Sequence, residues 1–124
     1  MKDNIYYLLK GYLSEYMNNV TYEQVETFAK IRRLAKKHHR LAEYDCNGEG
    51  VVNGKFYRLD GEYEGAYLPD GETSIFTAES DKIETKIRKL ALSLGLAVEF
   101  QGDPRGATVI LETTDNRTIY PNYV

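Results

Sequence analysis

Apolar residues recur every three or four positions through residues 21–46 and 80–94 of this chain. They recur every second position through 96–100 and 107–113. The first of these stretches puts Val25, Phe28, Ile31, Leu34, Ala35, His38, Leu41 and Ala42 on one stripe at about 100° per residue, the signature of an amphipathic helix. Thr21 and Gln24 form a Thr-x-x-Gln capping box at its start, and Asn47-Gly48 supplies a left-handed stop. The second stretch aligns Ile83, Ile87, Leu90, Ala91 and Leu94, with Ser80 as the expected cap and Gly95-Leu96 as the ending. A further helix is predicted over 4–17 from Ile5, Leu8, Leu9, Tyr12, Leu13 and Tyr16, capped by Asp3 or Asn4 and interrupted by Gly11.

Strand alternation places Leu96, Val98 and Phe100 on one face, then Val109 and Leu111 on one face. Another short strand is predicted before Pro121. Residues 49–79 lose the helical period and become rich in Gly, Glu and Tyr, with turns at Asn53-Gly54 and Pro69-Asp70-Gly71. Two or three short strands are expected there, peripheral or at a sheet edge. The predicted fold is α+β: two or three helices packed on a small antiparallel sheet, with a Tyr- and acid-rich hairpin insert at 49–79 in a single domain spanning 1–124. Phe28, Ile31, Leu34, Ile87, Leu90, Val98, Phe100, Val109 and Leu111 are the expected core.

The turn "GDPRG" at 102–106 has Asp103, Pro104 and Gly106 where a type I turn wants them. Only Arg105 lacks a conformational reason. A chain reversal accounts for the rest, while an anion held by the turn's amides would give Arg105 a purpose.

Composition changes this picture less than the distribution of charge does. Apolar residues at 42% and charged residues at 28% suit one globular domain. No apolar run approaches the roughly 18 residues of a membrane span. The first residues lack the unbroken apolar core of a signal peptide. Cys46 is the only cysteine, so an internal disulfide is excluded and a reducing cytoplasm is the expected location. The net charge of −3 conceals segregation: residues 30–40 hold six Lys/Arg and no acid, and residues 60–81 hold seven Asp/Glu and no Lys or Arg. Lys30, Arg33, Lys36, Lys37 and Arg40 fall opposite the apolar stripe, with Arg32 at its border. Three readings stay open for that face: a solvated surface, a phosphate-tracking surface, or a partner for the acidic segment folded over it.

Two stretches, "HRLAEYDCNG" (39–48) and "LGLAVEFQGDPRGATVIL" (94–111), resemble parts of small uncharacterised proteins encoded by tailed phages and prophages. The resemblance covers about a quarter of the chain. It implies no activity that any residue could inherit. In those relatives a short polar linker follows the first motif, whereas here the 49–79 insert intervenes. The resemblance implies a setting, that of a small accessory phage protein acting on host machinery.

Catalytic and metal-binding patterns are weak. His39 and Cys46 are separated by about 10.5 Å of helix, too far for a dyad. No Cys/His spacing suggests zinc, no cofactor is implied, and no serine has a nucleophile-elbow context. The expectation is a non-enzymatic phage protein that inhibits a host antiviral defence system, in the manner of an anti-CRISPR, by contacting a host protein or protein–nucleic-acid complex. Asp60, Glu62, Tyr63, Glu64, Tyr67, Asp70 and Glu72 are its candidate contact residues, because carboxylates interleaved with tyrosines suit a cationic groove on a partner. The alternative is a module binding nucleic acid or nucleotide directly through Lys30, Arg33, Lys37, Arg40 and Arg105.

Overall fold

The computed structural model describes residues 3–61, 63–103 and 106–124, with only the backbone of Asp103. In chain order the elements are helix α1 (Asp3–Leu13), helix α2 (Tyr22–Asn47), strands β1 (Glu49–Val52) and β2 (Lys55–Arg58), helix α3 (Ile75–Ser93), strands β3 (Ala97–Asp103), β4 (Gly106–Glu112) and β5 (Thr118–Ile119), and a 3-10 turn (Pro121–Tyr123). The fold is α+β, with two antiparallel sheets, β1-β2 and β3-β4-β5. Helix α2 is the spine: it packs on α3, on β4 and on the β1-β2 hairpin.

The local signals of α2 act as the sequence implies. The Thr21 hydroxyl accepts the Gln24 N–H at 3.2 Å, and the Gln24 side chain accepts the Thr21 N–H at 2.9 Å. At the other end the Gly48 N–H donates to the Tyr44 carbonyl at 2.8 Å. Val25, Phe28, Ile31, Ala35, His38 and Leu41 are all buried on its inner face. In α1, Leu9 and Leu13 reach the core, and Tyr12 stacks on Phe28 at 5.9 Å. Ile5 and Leu8 stay exposed, while Tyr6 in the same first turns packs against the core and the Tyr22 ring.

Several expectations need correction. Helix α3 begins at Ile75, not 81, and its cap is Ser74, not Ser80. Ser74 Oγ accepts the Thr77 N–H at 3.1 Å and also bonds the Asp45 carboxylate on the last turns of α2. The added turn buries Phe76, whose ring meets Tyr44 at 5.7 Å. Both anchors lie on another helix, so the periodicity of 75–94 alone does not reveal them. Val98 and Phe100 are half-buried rather than core, since β3 is an edge strand paired only with β4. Leu34 and Leu90 are likewise half-buried and floor an open groove.

Central strand β4 buries Ala107, Val109, Ile110 and Leu111. Its first residue, Gly106, pairs with Asp103 in the β3-β4 register, at φ +153°. A Cβ there would overlap the imidazole of His39. With Nε2 protonated, His39 Nδ1 accepts the Ala107 N–H at 3.1 Å and Nε2 faces Glu43 at 3.5 Å. Stretches 39–48 and 94–111 therefore touch in the fold, through the packing of His39 against Gly106 and Ala107. The type I turn assignment falls on Pro104 and Arg105, which lie outside the described residues.

The C-terminal residues lock this layer. Asn122 accepts the Val109 N–H at 2.8 Å and donates to the Ala35 carbonyl at 3.1 Å. Arg32 Nε donates to the Val124 carbonyl at 2.6 Å. Arg117 donates to the carbonyls of Glu15 and Tyr16, tying β5 to the α1–α2 connection. Among the described residues, no helix is long and apolar enough to cross a membrane.

Candidate functional site

The outer face of α2 carries Lys30, Arg33, Lys36, Lys37 and Arg40, all exposed. Helical spacing alone puts them there, opposite the stripe that packs on the core. Two grooves open beside them. One, of about 470 Å³, runs between α2 and α3 over a floor of Leu34 and Leu90, walled by Lys30, Arg33, Lys86 and Lys89. The other, of about 420 Å³, runs between α2 and the hairpin, lined by Arg33, Lys36, Lys37 and Arg40 with Tyr44 and Val51. Arg33 lines both, so the grooves form one cationic tract. Lys86 and Lys89 were missed by sequence reasoning. They lie on the second helix, and only the packing of α3 against α2 brings them here.

Lys30 has a carboxylate within reach, Glu26 at 3.9 Å, with both side chains about half exposed. Among the described residues, Arg33, Lys36, Lys37, Arg40, Lys86 and Lys89 form no ion pair. Like charges lining the same grooves repel one another, and a bound polyanion relieves that repulsion. Arg105, the fifth candidate for anion binding, lies outside the described residues.

The acidic insert is built differently. Asp60, Tyr63, Glu64, Tyr67, Asp70 and Glu72 are all exposed, and Glu62 lies outside the described residues. Glu64, Asp70 and Glu72 form no ion pair with α2, so these acids do not neutralise the basic helix. Asp70 is occupied by its own turn. Its carboxylate accepts the backbone N–H of Glu72 and both the N–H and hydroxyl of Thr73. The Thr73 hydroxyl, followed by these amides, holds its pKa below the ordinary carboxylate value. Tyr67 forms an isolated bridge with Ser74, and Tyr63 sets its ring edge-on to Phe56 at 5.7 Å.

A third cleft, of about 490 Å³, lies where α2, α3 and the β3-β4 hairpin meet, lined by His38, Asp45, Cys46, Asp81, Glu84 and Phe100 among others. His38 is buried, as its place on the stripe implies, and its Nε2 donates to Glu84 at 3.0 Å. Its Nδ1 has no partner among the described residues. Glu84 also pairs with Arg88, which sits over the Phe100 ring at 4.9 Å. The exposed Cys46 lines this cleft, whereas His39 is held against Ala107. Among the described residues, no three His, Cys, Asp or Glu side chains gather as a metal site. No protein family, curated protein or solved structure matches this chain.

Proposed function

We propose that this protein is a non-catalytic binding protein that carries a nucleic-acid strand across the cationic tract of α2 and α3. One observation carries the reading: six cations from two helices line two adjoining grooves with no carboxylate partner among the described residues. Cations that serve only solubility need no groove and no second helix. Phosphate contacts at such a tract release condensed counterions, so affinity falls steeply with salt. The net charge of −3 does not oppose this, because residues 30–40 of α2 hold six Lys/Arg and no acid.

The test is fluorescence anisotropy with labelled RNA and DNA strands between about 50 and about 200 mM salt. With about four phosphates engaged, the log–log slope should be about −3 for a single strand. Arg33→Glu/Lys37→Glu should weaken binding at least tenfold and flatten the slope, while the melting temperature holds. No binding at the lowest salt, or an unchanged affinity after charge reversal, would sink the reading.

A second reading keeps the phage setting and the insert as the working surface, where exposed Tyr63, Tyr67 and Leu68 lie beside Glu64 and Glu72. Here the protein inhibits a host defence complex by offering this segment to a cationic groove. Tyr63→Ala/Tyr67→Ala and Glu64→Lys would then abolish capture of the host complex, and reversal of the α2 cations would leave it intact.

A further inference from the structure

We infer that the outward face of the β1-β2 hairpin is a base-stacking platform, so that the cationic tract selects unpaired over duplex nucleic acid. This inference rests on the nucleic-acid reading above and adds its specificity. Alternation in β1 turns Gly50 and Val52 inward, where both are buried, and leaves Glu49 and Val51 outward. In the register, Val51 lies opposite Phe56 and Glu49 opposite Arg58. Val51 remains 48% exposed, Phe56 39% and Tyr63 41%. The inward positions already seal the hairpin onto the core, so the outward apolar side chains are not needed for packing. The solvent face of such a hairpin is ordinarily polar.

This apolar face is continuous with the cations. Val51 lines the groove that holds Arg33, Lys36, Lys37 and Arg40. From Val51 the surface passes across the strand pair to Phe56 and on to the Tyr63 ring. The groove also keeps its shape. Tyr44, on its floor, packs so closely on Gly50 that a Cβ at residue 50 would overlap its ring. Arg58 sits over the Phe56 ring at 5.8 Å, and its charge is held by Glu49 at 3.5 Å.

Charge then sets the orientation of the strand. Phosphates are drawn to α2 and repelled by Glu64, next to Tyr63, so the backbone runs along the helix and the bases point across the hairpin. Every base has a π-face, and stacking on an aromatic ring is sequence-tolerant. In a duplex those faces are already stacked on one another. A duplex can therefore use the cations but not the platform.

The chain has no tryptophan, so Phe56→Trp creates a single tryptophan reporter on the platform, read by its red-shifted emission apart from the eleven tyrosines. It would be titrated with a single strand of about 12 nucleotides, the matching duplex, inorganic polyphosphate and polyglutamate. The single strand should quench the reporter and bind at least about fivefold more tightly than the duplex. Phe56→Ala and the loop variant Tyr63→Ala should each weaken the single strand about 5- to 100-fold while leaving polyphosphate within about twofold. Tyr63→Ala keeps the test valid if the strand variant unfolds. Equal binding of strand and duplex without quenching, with polyphosphate still bound, would overturn the platform and leave the cationic tract standing. Failure of every polyanion to bind would remove both. Polyglutamate that binds and quenches as strongly as the oligonucleotide would assign the platform to an acidic protein segment and overturn the inference.

Discussion

Arg32 and Arg33 are neighbours on α2, yet they serve different ends. Arg32 is half-buried and donates to the carbonyl of Val124, while Arg33 is exposed, shared by two grooves, and without an ion pair among the described residues. The difference extends along both sides of the helix. On the side facing β4, His39 bonds Ala107, and Asn122 bonds both Ala35 and Val109. On the side facing α3 and the hairpin, Arg33, Lys36, Lys37 and Arg40 have no ion-pair partner among the described residues. A polar group that has lost its water must find a partner or cost stability, whereas one left in water contributes little to the fold. The first side is therefore built for the fold, whereas the exposed cations of the second contribute little to it.

Substitutions on the two sides should separate these roles. Gly106→Val has the largest expected effect on stability, about 3 kcal/mol, because the branched side chain meets His39 at a positive φ. Thermal denaturation would show it, and His39→Ala should recover part of the loss. An undiminished melting temperature would mean that the β4 side tolerates what its packing forbids. Asn122→Ala should cost about 1–3 kcal/mol by leaving the Val109 N–H and the Ala35 carbonyl without their partner. Urea denaturation with an unchanged slope would measure it cleanly.

Leu90→Ala comes next, at about 1 kcal/mol, below the roughly 2–5 of a fully enclosed leucine, since it floors an open groove. A loss as large as that of a core leucine would show the groove to be closed in solution. Smallest of all, Arg33→Glu/Lys37→Glu should move stability by no more than about 0.5 kcal/mol. A strong destabilisation there would erase the contrast between the two sides.

Much of the fold was legible because its signals are local. The Thr21–Gln24 box, the stop at Gly48 and the Asn53-Gly54 turn each act within a few residues, and each does what its chemistry implies. The turn is a good case: Asn53 and Gly54 both take positive φ, as a tight two-residue hairpin requires. The basic face was legible as a helical projection. Its extent was not, because Lys86 and Lys89 join it only when α3 packs on α2. The start of α3 was misplaced for the same reason, since Ser74 and Phe76 are anchored by Asp45 and Tyr44 on another helix.

By itself, then, the chain's periodicity determined the interiors of the main helices and strands and which stripe turns inward, though not where α3 begins. Backbone capping and apolar burial operate at short sequence separation and leave their pattern in the order of residues. Tertiary structure decided which charges keep a partner and which remain available. It set Arg32 against Val124 across 92 positions, and brought Arg33 beside Val51 and Leu90 in two different grooves. Partnership of charges depends on distance in space, and no spacing along the chain encodes the approach of α3 and the hairpin to the same face of α2.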